Sequence, residues 1–437
     1  MTWKVGIFLD KFYIANSLVN MIVKCTAFDE VSIQDITSWN SQIVGYLHHG
    51  HGKEALKSFD IMQHKGVAPN SITYACILKA CGNIGASEKG KQIHNEIVSR
   101  GLLEKNTMLG NTLLNMYAKC GMLEKARQVF EELSDRNVAS WSALSAAYAQ
   151  EGQGHEALNC FYRMQREGIF ANEVSFTCIL KACGIIGAID KGKQIHNEIF
   201  SRGLLGENIV LSNALVGMYA KCGALTKAQK VFEELHNQDV VSWNVLIAGY
   251  TQHEQYHKAL KCFAQMQADG FLPDEATFSC ILKACSRTRC IDIGKQIHKE
   301  IVDRGFFENN IMLGIALVDM YANCGFLEKA QSVQVELPFQ TVASWNALIE
   351  GYAQRGQFDE TMNCFEEMQR AGFCPNDATF ISILKACGNR RAFEKGKQIH
   401  SELLERGFLE KNIMVGTALV DMYAKCGILG KAREVFK

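Results

Sequence analysis

Four His-x-Glu triplets, His94/Glu96, His196/Glu198, His298/Glu300 and His400/Glu402, are the first residues in this chain whose types suggest chemistry. A zinc-ligating histidine and a proton-moving glutamate form half of a nucleobase-deaminase signature, whose other half is a Pro-Cys-x-x-Cys pair. Seventeen cysteines are present, yet no two are spaced as C-x-x-C, so a tetrahedral zinc site cannot be completed. Residues two apart on a helix also point to different faces. The histidines therefore read as packing residues, and neither catalysis nor a metal or cofactor is expected in this chain.

The cysteines recur in register instead: Cys81, Cys183, Cys285, Cys387; Cys120, Cys222, Cys324, Cys426; Cys160, Cys262, Cys364; Cys76, Cys178, Cys280. Recurrence of this kind fits small apolar packing residues on helices. Disulfide frameworks belong to short secreted chains, so a reducing compartment is expected.

The elements that carry these residues follow one step. Trp39, Trp141, Trp243 and Trp345 are 102 residues apart, as are the four copies of Gly-Lys-Gln-Ile-His that begin at Gly90, Gly192, Gly294 and Gly396. Each 102-residue unit divides into pieces of 35, 36 and 31 residues. The triplets are 36–137 (36–70, 71–106, 107–137), 138–239 (138–172, 173–208, 209–239), 240–341 (240–274, 275–310, 311–341) and a truncated 342–437 (342–376, 377–412, 413–437). Residues 12–35 resemble a shortened copy of the 31-residue piece, with Asn16 for Asn111 and Cys25 for Cys120.

Every piece predicts two helices. In 240–274, Trp243, Leu246, Ile247 and Tyr250 form one apolar stripe at helical spacing. A polar break over 252–255 follows, then a second stripe of Ala259, Leu260, Phe263 and Met266; Gly270 and Pro273 close the hairpin. One hairpin cannot bury its stripe alone, so neighbours must stack. An array that stops inside a piece is expected to expose its last stripe, Leu419 and Tyr423.

Composition agrees. Four prolines in 437 residues favour helix. Lys+Arg equals Asp+Glu, 46 each, so no global field draws in a polyanion or an anionic membrane. No apolar run is long enough to span a bilayer, and residues 1–10 lack the features of a secretory signal or an organellar presequence.

The residues decide between helical-repeat families. Val240-Val241-Ser242-Trp243-Asn244 with Ala259-Leu260, Phe263, Met266 and Gly270…Pro273-Asp274 resembles the P-type pentatricopeptide repeat. Phe278 to Cys285 followed by Gly294-Lys295-Gln296-Ile297-His298 resembles its L-type variant, and Asn213 to Gly223 the short S-type. The alternation over 36–437 is similar to the PLS subclass of that family, without a C-terminal E or DYW domain. The resemblance implies an all-α fold, a right-handed superhelical solenoid of stacked helix-turn-helix repeats.

It also implies binding of single-stranded RNA, one base per repeat, read by the fifth residue with the last residue of the repeat. An Asn amide both donates and accepts, whereas Asp only accepts. Carried over position by position, Asn244 with Asp274 and Asn213 with Asp239 match a uracil pair. Asn40 with Asn70, Asn111 with Asn137 and Asn346 with Asn376 match a cytosine-or-uracil pair. Ser142 with Asn172 matches an adenine pair, and Thr177 with Asn208 is adenine-like within an L-type repeat. Ala75, Ile315 and Ile381 depart from the pattern. An apolar second residue, Val241 or Val210, would pack on base faces. The other reading of these asparagines is helix capping.

The implied partner is a pyrimidine-rich organellar transcript, with RNA-processing or C-to-U editing factors acting in trans, in mitochondrion or chloroplast, and no membrane. A peptide-binding scaffold, or a truncated non-functional copy, is the alternative. Lys79, Lys181, Lys283 and Lys385 lie four residues beyond the reader position, and Lys119, Lys221 and Lys425 eight beyond it. Both offsets stay near the reader face, so these lysines read either as a stripe of phosphate contacts or as cations at helix C-termini.

Overall fold

A computed structural model of the chain describes residues 35–103, 106–205, 208–235, 237–409 and 412–436. The shortened copy expected over 12–35 lies outside them but for Asp35. Regular structure among the described residues is helical throughout. The chain forms two compact units, residues 1–218 and 219–437.

In the first unit, paired helices are Ile36–His48 (α1) with Gly52–His64 (α2), Ser71–Ile84 (α3) with Ser87–Ser99 (α4), and Thr107–Lys119 (α5) with Leu123–Glu132 (α6). Val138–Gln150 (α7) with Gly154–Arg166 (α8) and Glu173–Ile186 (α9) with Ile189–Ser201 (α10) follow. Ile209–Lys221 (α11) carries the point of division. The second unit continues with Leu225–Glu233 (α12), Val240–Gln252 (α13) with Tyr256–Ala268 (α14), and Glu275–Thr288 (α15) with Ile291–Asp303 (α16). A single turn, Phe306–Asn309 (α17), precedes Ile311–Cys324 (α18) with Leu327–Glu336 (α19). Val342–Gln354 (α20) with Phe358–Arg370 (α21), Asp377–Arg390 (α22) with Phe393–Glu405 (α23), and Ile413–Lys425 (α24) with Leu429–Phe436 (α25) complete it.

Within each unit the first helices of successive pieces pack side by side: α1 on α3, α3 on α5, α5 on α7, α7 on α9, and α13 on α15, α15 on α18, α18 on α20, α20 on α22, α22 on α24. The second helices lie against them as another layer. Apolar stripes meet between pieces, where Trp141 stands edge-on to Phe130 and Trp243 to Phe232, each with ring centroids 4.6 Å apart. The recurring Gly of Gly-Lys-Gln-Ile-His exists for close approach. A Cβ on Gly90 or Gly396 would sit 2.6 Å from the sulfur of Met116 or Met422.

The helices begin as their sequences require. Asn70, Asn137, Asn172, Asp274 and Asn376 close capping boxes with Thr73, Ser140, Ser175, Thr277 and Thr379. Each box satisfies N–H groups that the first turn leaves unpaired. The expectation about the end of the array is corrected: Leu419 and Tyr423 are fully buried, because α22 and α25 cover that side of α24. The apolar surface left open there belongs to Ile413, Leu429 and Phe436.

The His-x-Glu residues take separate partners. His94 Nδ1 meets the Tyr117 hydroxyl at 2.8 Å, and His298 and His400 meet Tyr321 and Tyr423 in the same way. Glu96 instead accepts from the Tyr74 hydroxyl and from Arg100, each at 2.7 Å. Among the described residues no group of three or more His, Cys, Asp or Glu is arranged to hold a metal. Burial pushes the Cys81 thiol up to about 11 and that of Cys160 to about 12, so these two stay protonated and act as packing groups.

Candidate nucleic-acid interface

Each first helix presents one face built at i, i+3 and i+7. Its second residue is apolar and exposed in several pieces: Ile72, Met108, Val174 and Val210 in the first unit, Val241, Met312 and Met414 in the second. One turn later stands the reader position; a lysine follows it by four residues in the 36-residue pieces and by eight at Lys119, Lys221 and Lys425.

The structure joins most of the paired reader and terminal residues directly. Asn244 Nδ2 lies 2.9 Å from both oxygens of Asp274. Asn346 donates to Asn376 at 2.9 Å, and Asn40 to Asn70 and Asn111 to Asn137 at 3.4 Å. The terminal residue does this while capping the next helix, so capping and pairing coexist in one side chain. Burial pushes the Asp274 carboxyl up, but the Thr277 N–H and the Asn244 amide more than offset it and hold it below its ordinary value. It remains an ionised acceptor.

A third residue enters that the sequence reading missed. Thr73 Oγ1 donates to Asn40 Oδ1 at 2.7 Å, and Thr379 to Asn346 at 2.6 Å; Thr277 donates likewise to Asn244. All three are fully buried. They fix the amide so that its oxygen faces the threonine and its nitrogen the terminal residue, leaving one N–H for a ligand. Their signal was the Thr three residues after Asn70, Asp274 and Asn376, matched by Ser175 after Asn172. Ser142 is reached the same way: it bonds Ser175 Oγ at 2.8 Å, and Ser175 in turn bonds Asn172.

In the 31-residue piece no such threonine arrives. Asn111 Oδ1 is buried with no hydrogen-bond partner among the described residues. Asn213 is buried on α11, and Asp239 caps α13. Thr177 and Asn208 are not joined. Thr177 donates to the Glu173 carbonyl of its own helix, and Asn208 donates to the Glu173 carboxylate. Ser279, exposed at the matching place in 275–310, was passed over in the sequence, although the 102-residue step from Thr177 leads to it.

The lysines fall into two sets. Lys119, Lys221 and Lys425 lie in the last turn of their helices, where a cation suits the helix dipole. Lys119 donates to Asn83 at 2.8 Å, and Lys425 pairs with Asp421 at 2.7 Å. Lys79, Lys181, Lys283 and Lys385 are exposed and precede the last turn. Asn323, in the lysine register of α18, instead bonds Ser286 and Asp319 at 3.0 and 2.9 Å.

The PPR repeat family matches residues 34–83, 238–287 and 340–389, and the PPR repeat matches 111–138, 139–169, 210–240 and 276–306. A mitochondrial pentatricopeptide repeat-containing protein of Arabidopsis thaliana is 33% identical over 432 residues, 97% of this chain and 42% of the relative. A chloroplastic one from the same plant is 35% identical over 393 residues, 88% of this chain and 63% of the relative. The chain thus spans from 42% to 63% of the length of these curated relatives. Among solved structures, the pentatricopeptide repeat protein PPR10 in complex with an 18-nucleotide psaJ RNA element matches with a TM-score of 0.52 and 17% identity, over 94% of this chain and 75% of that one. At such identity the likeness is one of fold, an α-helical repeat solenoid.

Proposed function

This chain belongs to the pentatricopeptide repeat family, and from that premise we propose that the first-helix faces bind single-stranded RNA, reading bases at the 35- and 31-residue pieces. One observation carries the reading. On one helix face an exposed apolar side chain stands a turn before an amide that is fixed by the terminal residue, as with Val241, Asn244 and Asp274. Stacking needs the first and edge recognition the second. The orphan acceptor of Asn111 supports it further, because a base donor satisfies a buried oxygen that otherwise costs about 1–3 kcal/mol.

The pieces form a P-L-S alternation in four triplets. Asn244 with Asp274 and Asn213 with Asp239 select uracil. Asn40 with Asn70, Asn111 with Asn137 and Asn346 with Asn376 select a pyrimidine, and Ser142 with Asn172 selects adenine. The lysines contribute phosphate contacts. The chain acts as a binder rather than a catalyst and serves organellar RNA processing or C-to-U editing-site recognition with factors in trans. Relatives named as mitochondrial or chloroplastic support that setting.

Binding to a short RNA of the proposed order, a shuffled RNA and the matching DNA tests the reading. Preference for the first is expected, and equal affinity for all three would sink it. At one position, Asn244→Thr with Asp274 retained moves the preference from U towards G; an unchanged preference means that this piece reads no base.

A further inference from the structure

Three of the four 36-residue pieces hold their terminal asparagine in a way the other pieces do not. In 173–208 the Asn208 amide nitrogen donates to the Glu173 carboxylate. In 275–310 Asn310 Nδ2 donates to Glu275 Oε2 at 2.7 Å, and in 377–412 Asn412 donates to the Asp377 carboxylate. Each time the acid is the first residue of the helix that carries the reader position of that piece. The amide oxygen is committed as well, accepting from the Leu211, Leu313 or Val415 N–H at the start of the next helix.

Asn70 and Asn376 differ. They receive the reader amide on their oxygen, and among the described residues no acceptor takes their own nitrogen. The readers of the 36-residue pieces receive no such help: Thr177 turns to its own backbone, Ser279 is exposed, and Ile381 has no polar side-chain atom. Residues 71–106 begin with Ser71 rather than an acid, and their reader is Ala75.

We infer that Glu173, Glu275 and Asp377 are positioning residues that lock the terminal asparagine away from the reader, so that these pieces pass over a base without reading it. The inference rests on the RNA-reading proposal and deepens it. The carboxylate outcompetes a base for the amide because a charge-assisted hydrogen bond is about twice as strong as a neutral one.

The test uses the full chain and four RNAs that differ only at the base facing 173–208, at fixed salt. The unmodified chain binds all four alike. Glu173→Ala frees Asn208 to join Thr177, and a preference of about threefold or more appears, the factor one ordinary hydrogen bond contributes; adenine is the expected base. Glu173→Gln keeps an acceptor for Asn208 and restores silence. If both variants raise affinity equally for all four RNAs, the effect is charge alone and the lock is overturned.

Asn244→Thr is measured alongside at its own base. If it shifts preference there while Glu173→Ala shifts none, the lock fails and the RNA reading stands. If neither shifts any preference, the RNA reading fails and takes the lock with it. Glu275→Ala, with Ser279 and Asn310, repeats the measurement in the second unit. Unchanged melting temperatures keep a folding defect from imitating either outcome.

Discussion

Asp274 accepts from the Thr277 N–H and from the Asn244 amide, so one carboxylate serves a helix start and a reader at once. Asp274→Ala is expected to cost about 1 kcal/mol through the lost cap and to loosen Asn244, whereas Asp274→Asn keeps the cap. Denaturant titration with base-preference binding separates the two effects. Because the folded carboxyl lies below its ordinary 3.8, its contribution is complete above that pH and fades as pH falls through the lower folded value. The histidines act over a different window. Burial holds His94, His298 and His400 below the ordinary 6.5, so the unfolded chain binds more protons and stability falls on acidification below about 6.5. Melting temperature measured from pH 7.5 to 5 (bounds of about a unit either side) should drop, and His298→Gln should flatten that slope. An equally steep slope in the variant assigns the loss to other groups.

Helix elements were legible in the sequence from apolar spacing and the breaks between stripes, as in α13 and α14, which a polar break separates and Gly270 and Pro273 close. Contacts between pieces were less so. The bond of Asn208 to Glu173 joins residues 35 apart in sequence, and only hairpin geometry brings them together. Thr73 and Thr277 were legible as capping-box residues but not as partners of a reader on the preceding hairpin. The single turn α17 has no periodicity to reveal it. Left-handed positions also escaped notice where glycine is missing. Gly85 and Gly187 end α3 and α9 at φ 69° and 68°, but Arg289 and Arg391 stand in the matching places at φ 57°. Glu254, φ 59°, stands where Gly50, Gly152 and Gly356 do. An L residue there costs about 1 kcal/mol, so Arg289→Gly, Arg391→Gly and Glu254→Gly should each stabilise by up to that amount. Chemical denaturation decides it; a loss of stability shows that the side chain contributes more than the backbone strain costs.

Across the whole molecule, charge is balanced, so on the proposed reading the phosphate contacts fall to local cations. Single-strand binding loses about 0.7 in the slope of log K against log salt for each phosphate contact removed. Lys283→Gln with Lys385→Gln is therefore expected to lower that slope by about 1.4, and Lys119→Gln by less, since Lys119 already bonds Asn83. Equal slopes in all variants would show that the lysines touch no phosphate. The capping boxes carry one more consequence, for how such a protein changes its target over generations. The terminal residue of each piece must start the next helix, and the residues that do so well are Asn, Asp, Ser and Thr. Thr341 shows another member of that set in use. An asparagine codon becomes an aspartate, serine or threonine codon by one nucleotide change. On the proposed reading, mutation can thus walk through a vocabulary of recognition letters without leaving the set that folds, and selection on binding is spared a parallel struggle with misfolded intermediates.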